Sequence, residues 1–133
     1  MFGFYRLAAA VPQVFLADVE ANTDEIIRLY KEASGNGTAA VVFPELCITG
    51  YTIGDLVFQQ TLLQAAAGAA VKIAEATVKN PCIAIVGLPL VFEGKIYNTA
   101  LVIQNGCIVG AVPKQQLTAM QVPVRLCCPR QLQ

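Results

Sequence analysis

The sequence predicts an α/β fold whose mixed sheet follows the order βαβαβ and ends in a β-hairpin. Short apolar runs recur along the chain, and two longer segments between them carry apolar residues at helical spacing. Near the end, Asn105-Gly106 separates two β-prone runs, which is the strongest hairpin signal that a short sequence can give. These three observations, in this order along the chain, define the predicted fold.

The first half is predicted to contain a strand, a helix and a second strand. Residues 6–14 form an apolar run that contains a proline, and residues 39–43 form a continuous apolar run that suits a strand covered on both faces. Between them, Asn22 is a good helix N-cap with Glu25 in capping-box register. Gly35 marks the end of that helix.

The second half is predicted to contain a loop, a long helix and three strands. A polar and glycine-containing loop covers residues 45–55, and an Ala- and Leu-rich helix follows over residues 59–79. The motif Gly87-Leu88-Pro89 is expected to close the third strand. The strands are predicted over residues 82–86, 96–103 and 107–112.

Composition excludes several classes of protein. The chain has 133 residues, of which 56% are hydrophobic and only 14% are charged, unlike a disordered chain. Nine basic and nine acidic residues give a net charge of zero without a basic patch, so no nucleic-acid partner is expected. No apolar run approaches the ~20 residues of a membrane span. We therefore expect no membrane association and a cytoplasmic location.

Cysteine and histidine usage restricts the possible chemistry. The five cysteines are odd in number and irregularly spaced, without a CxxC pair, so a disulfide framework is not expected. The chain has no histidine, which argues against a zinc site and excludes Ser-His-Asp or Cys-His machinery from these residues. Acid–base chemistry must then come from Glu, Asp, Lys, Tyr or Cys.

Glu45 and Lys114 are the candidate catalytic residues. Glu45 directly follows an apolar strand, where ligands bind in open α/β sheets, and partial desolvation there would raise its pKa and make it a base. Lys114 ends the last predicted strand and could pair with Glu45 and stabilise an oxyanion. Each also has a simpler interpretation, because solvated acids at strand ends and lysines on edge strands are common.

Other residues near Glu45 have weaker signals. Tyr51 either lines a pocket or is a half-buried loop aromatic, with neither interpretation preferred. The pair Tyr97-Asn98 could orient a part of the site, although core packing is the safer expectation for Tyr97. Cys47 is expected to pack as a small hydrophobic residue, because side chains two positions apart in a loop rarely converge on one atom.

Several motifs together resemble the nitrilase (carbon–nitrogen hydrolase) superfamily in their order and spacing. They are Pro44-Glu45 after an apolar strand, then Thr-Gly-Tyr, Gly-Leu-Pro and Tyr-Asn, and finally Ala-Val-Pro-Lys ending at Lys114, 69 residues after Glu45. Within that superfamily, residues 3–114 are most similar to the amino-terminal glutaminase domain of bacterial glutamine-dependent NAD synthase. The segments that carry this likeness include VVFPELCITGYTIGDL and VGLPLVFEGKIYNTALVIQNGCIVGAVPK.

The resemblance implies a fold and a reaction. It implies a partial αββα sandwich and a Glu-Lys-Cys triad, in which Glu45 matches the general base, Lys114 the catalytic lysine and Tyr51 a position beside the glutamine pocket. A cysteine thiolate attacks the glutamine amide in this family, and the released ammonia passes to an ATP-dependent ligase domain. Glutamine is the implied substrate. No cofactor or metal is implied for this domain, because ATP and magnesium belong to the synthetase domain.

The sequence departs from the family pattern after Lys114. The family's nucleophile follows several tens of residues later, whereas Cys127 and Cys128 come too early and receive no role. We divide the chain into residues 1–114, the front part of the hydrolase domain, and residues 115–133, an irregular tail. Because a +1 reading of codons for the tail can restore the family's Lys-Ser/Thr-x-Leu-Pro pattern, we hypothesise a frameshift near codon 115.

Three functional hypotheses follow from these features. The first is the front part of a glutaminase domain, inactive alone because it lacks the nucleophile. The second is a part of another nitrilase-family amidase, and the third is a non-catalytic interaction module. Exposed edges of an incomplete sandwich predict that the chain forms oligomers or aggregates.

Overall fold

A computed structural model describes residues 3–114 of the chain. It contains a five-stranded sheet, two long helices and a short 3-10 helix at Gly54–Phe58. The helices are α1 (Val19–Gly35) and α2 (Gln60–Ala76), and the strands are β1 (Leu7–Ala9), β2 (Ala40–Val42), β3 (Ile83–Phe92), β4 (Lys95–Gln104) and β5 (Cys107–Pro113). The predicted α/β fold with the order βαβαβ plus a hairpin is confirmed.

The sheet is mixed, and its strands lie side by side in chain order. β1, β2 and β3 are parallel, because α1 and α2 each return the chain to the same end of the sheet. β4 and β5 are antiparallel to their neighbours, because short turns reverse the chain. As a result, the carboxyl ends of β2 and β5 lie at the same end of the sheet as the start of β4.

Two tight hairpins build the antiparallel half. Asn105 and Gly106 have φ values of 50° and 80°, as the predicted Asn-Gly turn requires. Glu93 and Gly94 adopt the same left-handed conformation, with φ values of 49° and 73°, and join β3 to β4. The expected end of the third strand at Gly87-Leu88-Pro89 is therefore wrong, since Pro89 pairs with Asn98 and the strand continues to Phe92.

Both helices cover one face of the sheet. Alternating strand residues point to that face and are buried against apolar residues of α1 and α2; they include Val41, Ala84, Val86, Leu88, Leu101, Ile103 and Ile108. From α1, Tyr30 is fully buried and its hydroxyl donates a hydrogen bond to the carbonyl oxygen of Cys82 at 2.8 Å. Burial raises the pKa of Tyr30 to about 12.

The other face of the sheet is only partly covered in the described residues. Leu7 and Val42 point to this face and are 72% and 44% exposed, whereas Val41, which points to the helices, is fully buried. The expectation that the second strand is covered on both faces is therefore wrong within residues 3–114. We call the face that points away from α1 and α2 the open face.

The first helix begins earlier than its predicted cap. Asp18 is the N-cap, and its side chain accepts a hydrogen bond from the amide of Ala21 at 3.0 Å. Asn22 lies inside the helix and is almost fully buried, so its prediction as the N-cap is wrong. In residues 3–114, neither long helix has the length and apolarity needed to cross a membrane.

Candidate active site

Glu45, Lys114 and Asn98 meet at one end of the open face. The Nζ atom of Lys114 lies 2.7 Å from Oε1 of Glu45, and the side-chain amide of Asn98 donates a short hydrogen bond to the same oxygen. The backbone amide of Lys114 also donates to the carbonyl oxygen of Asn98 at 2.7 Å. The three residues come from the loop after β2, from the end of β5 and from β4, and they form one connected cluster.

Gly87 allows the Glu45 loop to cross the sheet. A Cβ atom at Gly87 would lie 2.5 Å from the amide nitrogen of Leu46 and 2.9 Å from the carbonyl oxygen of Pro44. It would also lie 3.1 Å from the carbonyl carbon of Glu45. Because Gly87 shares its side of β3 with Ile85, away from the helices, the loop backbone passes directly over β3 on the open face. This crossing carries Glu45 past β3 towards β4 and β5.

Hydrogen bonds hold the loop in this position. The amide of Ile48 donates to the carbonyl oxygen of Gly87 at 3.2 Å, which ties the loop to β3. On the other side, the Nδ2 atom of Asn22 donates to the carbonyl oxygens of Phe15 and Ile48, at 2.7 and 3.0 Å. The amide of Phe15 donates back to Oδ1 of Asn22 at 2.7 Å. Asn22, which was predicted to cap the helix, is thus a buried residue whose hydrogen bonds join α1 to the loop that carries Glu45; we call these hydrogen bonds the Asn22 clamp.

The ion pair, rather than desolvation, controls the ionisation of Glu45. The hydrogen bond from Lys114 is the largest influence and the hydrogen bond from Asn98 is the next, and together they lower the pKa of Glu45 below its ordinary value. Its side chain keeps 38% exposure, and desolvation of the rest opposes this shift without reversing it. The expected rise in the pKa of Glu45 is therefore wrong for this arrangement.

Lys114 is held in its charged form by the same contact. Its hydrogen bond to Glu45 and the negative charge of that carboxylate raise the pKa of Lys114. A smaller electrostatic influence of Tyr51 acts in the same direction. Within residues 3–114 the Tyr51 side chain is 67% exposed, so it is not a half-buried aromatic.

The three cysteines of the described region lie outside the cluster. Cys47 is buried in the core, its thiol lies 3.6 Å from the carbonyl oxygen of Gly87, and burial raises its pKa to about 11. Its predicted packing role is confirmed. Cys82 is buried as well, and Cys107 starts β5 while Lys114 follows its far end. Cys127 and Cys128 lie outside the described residues.

The cluster combines a carboxylate with a fixed positive charge. A carboxylate at an exposed loop can accept a proton, and a lysine ammonium within hydrogen-bond reach can stabilise negative charge that develops nearby. No group of three or more metal-ligating side chains occurs within residues 3–114. The contact between Glu45 and Lys114 therefore suits proton transfer and the stabilisation of negative charge.

Of the residues that the sequence indicated, the structure brings together Glu45, Lys114 and Asn98, whereas the role of Tyr51 stays a prediction. Sequence reasoning missed Gly87 and Asn22. A glycine inside a strand often marks a close approach of another backbone, and this signal was available at Gly87. Nothing in the local sequence distinguished the buried Asn22 from a helix cap.

Comparison with known proteins assigns the chain to a family. Residues 6–124 match the family model for carbon-nitrogen hydrolases. The chain belongs to the carbon-nitrogen hydrolase family. A glutamine-dependent NAD(+) synthetase from Mycobacterium leprae is 35% identical over 115 residues, which cover 86% of this chain and 17% of that protein. The chain thus spans less than a fifth of the length of this relative.

Solved structures share the fold of this carbon-nitrogen hydrolase chain. A glutamine-dependent NAD(+) synthetase from Cytophaga hutchinsonii superimposes with a TM-score of 0.79 and 29% identity, over 86% of this chain and 19% of that one. An amidase from Nesterenkonia sp. superimposes with a TM-score of 0.69 over 87% of this chain and 44% of that one. At 22% identity, the amidase supports the nitrilase-type fold alone.

Proposed function

We propose that the chain provides the base and the lysine of a glutamine-hydrolysing site that supplies ammonia for NAD synthesis. The observation that carries this proposal is the 2.7 Å contact between Lys114 and Glu45, two residues that are 69 positions apart in the chain. Similarity to glutamine-dependent NAD(+) synthetases supports glutamine as the substrate, and a cytoplasmic location is part of the proposal. The domain itself needs no cofactor in this proposal, and ATP and magnesium serve only a synthetase domain.

Glu45 acts as the general base and Lys114 as the charge-stabilising group. The base accepts the proton of the attacking thiol, and the lysine stabilises the oxyanion that forms when the amide carbonyl is attacked. Tyr51 borders the place where the glutamine side chain binds. A histidine-free site can perform this chemistry because the carboxylate takes the part that histidine has in other hydrolases.

The nucleophile does not come from residues 3–114 in this proposal. Cys47 and Cys82 are buried, and the raised pKa of Cys47 disfavours its thiolate. Loss of the nucleophile from a catalytic triad costs about 10⁶-fold in kcat in well-studied hydrolases. We therefore expect the purified 133-residue chain to release no ammonia from glutamine. Turnover by this chain that disappears in Glu45→Gln would overturn this part of the proposal.

The assigned roles can be tested in a chimera. Residues 6–114 would replace the matching segment of the Mycobacterium leprae synthetase, and NAD formation would be measured with glutamine and, separately, with ammonium. We expect Glu45→Gln and Lys114→Met to lower glutamine-dependent synthesis by at least about 10³-fold. Synthesis from ammonium should stay unchanged, because it bypasses the amide hydrolysis.

A matched control isolates the two site residues in this chimera. Lys72→Met and Asp24→Asn each break a second ion pair between residues that are distant in the sequence. Its 2.7 Å contact joins α1 to α2 on the helical side of the sheet. These variants should retain glutamine-dependent synthesis. The proposal fails if the Glu45→Gln chimera keeps its glutamine-dependent rate, or if the Lys72→Met control loses as much as Lys114→Met.

We also propose that the isolated chain self-associates. β1 and β5 are the edge strands of the described sheet, and the open face exposes Leu7 and Val42. Open edges and apolar faces promote pairing with a second copy. Val42→Lys should lower the average mass measured by light scattering, whereas Phe58→Lys, at an exposed position before α2, should leave it unchanged. A monodisperse monomer at high concentration would contradict this proposal.

A further inference from the structure

The two oxygens of the Glu45 carboxylate have different surroundings. Oε1 receives both the Lys114 ammonium and the Asn98 amide. Within residues 3–114, no hydrogen-bond donor contacts Oε2. An oxygen that already accepts two hydrogen bonds, one of them charge-assisted, is the poorer proton acceptor of the pair. Oε1 is therefore fixed by two hydrogen bonds, whereas Oε2 is the oxygen that can accept a proton.

Lys114 alone does not fix this difference. The terminal torsion of a glutamate is broad, so a carboxylate rotates easily about its last bond. A lysine ammonium is a point charge with three rotatable donors, and it can follow either oxygen as the carboxylate turns. A planar amide on a rigid strand donates in a fixed direction and can select one oxygen.

Asn98 has the rigidity that this selection requires. It lies within β4, between β3 and β5. On one side Asn98 pairs with Pro89 of β3, and on the other its carbonyl oxygen accepts a hydrogen bond from the backbone amide of Lys114. Residues at even positions of β4, such as Ala100 and Val102, share its face, which is the open face. The Asn98 side chain therefore points at the loop that crosses Gly87.

We propose that Asn98 is a positioning residue that locks Oε1 of Glu45 and so presents Oε2 as the oxygen that takes up a proton. Asn98 joins both members of the pair, since its side chain holds Glu45 and its backbone holds Lys114. This inference rests on the proposed role of Glu45 as a base. It adds that the direction of proton uptake is set by a third residue that itself transfers no proton.

Ionisation of Glu45 gives a direct test that requires no catalysis. The 133-residue chain labelled with ¹³C and ¹⁵N would be titrated by NMR, following the Glu45 carboxyl carbon and the Asn98 side-chain amide protons. We expect one Asn98 amide proton to shift with the same midpoint as the Glu45 carboxyl. In Asn98→Ala the Glu45 pKa should move upwards, because a hydrogen bond that favours the carboxylate is lost.

Two further variants separate positioning from a structural effect. Asn98→Asp keeps the shape of the side chain but replaces the donor with a second carboxylate, so the Glu45 pKa should rise further than in Asn98→Ala. Gln104→Ala removes another side-chain amide from β4, one that donates to the carbonyl oxygen of Pro81 at 2.8 Å, and it should leave the Glu45 pKa unchanged. Amide spectra that keep the wild-type dispersion show that each variant is folded.

The outcomes distinguish this inference from the proposed function. If the Asn98 protons do not follow the Glu45 titration, or if both Asn98 variants keep the wild-type Glu45 pKa, Asn98 does not position the carboxylate. That result would leave the chimera experiment untouched. Conversely, a chimera whose glutamine-dependent synthesis survives Glu45→Gln refutes the base assignment, whatever the titration shows.

Discussion

Substitution of Gly87 by alanine tests whether the crossing of the loop over β3 places Glu45. The added Cβ would lie 2.5 Å from the amide nitrogen of Leu46, about 1 Å closer than an ordinary contact. It would also press on the carbonyl oxygen of Pro44 at 2.9 Å. All of these neighbours are backbone atoms, so no side chain can rotate away. The loop must lift from the strand, or the strand must bend.

The expected cost combines three effects. Forcing an extra carbon into a packed position costs about 1–3 kcal/mol. Weakening the 3.2 Å hydrogen bond from the amide of Ile48 to Gly87 costs about 1 kcal/mol more. These costs are partly offset, because replacing glycine by alanine within a strand stabilises the folded protein by about 0.5–1 kcal/mol. The net loss in the free energy of unfolding should therefore be about 1–3.5 kcal/mol.

Urea denaturation would measure this loss, with Gly110→Ala as the matched control. Gly110 also lies within a strand, β5, but an added Cβ there meets no atom within 4 Å, so its stability should stay equal or rise slightly. NMR titration of Gly87→Ala should also show the pKa of Glu45 returning towards its ordinary value, because the displaced carboxylate leaves Lys114. Unchanged stability together with an unchanged Glu45 pKa in Gly87→Ala would show that the contact between the loop and Gly87 does not place Glu45.

Three further predictions concern the ion pair, the clamp and the buried thiol. Because the pKa of Glu45 is lowered in the folded protein, the Glu45 carboxylate stabilises the fold at pH values above its ordinary pKa of 4.5, and this stabilisation is lost as the pH falls through the lowered pKa. Lys114→Met should therefore flatten the acid side of a stability–pH curve measured by urea denaturation. Asn22→Ala should lower the free energy of unfolding by about 2–4 kcal/mol in the same assay, because it leaves buried polar groups unpaired, and a loss below about 0.5 kcal/mol would contradict the clamp. Iodoacetamide at neutral pH should label Cys107 well before Cys47, as read by peptide mass spectrometry, since burial raises the Cys47 pKa to about 11.

The local sequence was sufficient to predict the type and order of the main elements. Their apolar periodicity and the Asn-Gly turn depend on neighbours along the chain, which sequence reasoning sees directly. Strand length depended on pairing across the sheet and was less predictable. β3 continues through Pro89 because β4 lies beside it, although a proline commonly ends a strand.

The candidate site was only partly predictable for the same reason. Glu45 and Lys114 follow strands, and strand ends are where α/β sheets bind ligands, so position along the chain indicated them. The sign of the Glu45 pKa shift was predicted wrongly, because it depends on a residue 69 positions away that reaches the carboxylate. Asn22 was misassigned because its hydrogen bonds join α1 to Ile48, a contact that no local pattern encodes.

The contacts that stabilise the fold near the site differ from the contacts within the Glu45–Lys114 pair. The Glu45–Lys114 pair is exposed, and exposed ion pairs contribute little to folding. The groups that place it are buried backbone and amide contacts at Gly87 and Asn22, whose loss is costly. The fold therefore holds the pair together, and the pair does not hold the fold together. Glu45→Gln should then lower the stability near neutral pH only slightly while the chimera that carries it loses glutamine-dependent synthesis, whereas Gly87→Ala should lower both clearly, so measuring stability and synthesis for the same substitutions separates scaffold from chemistry.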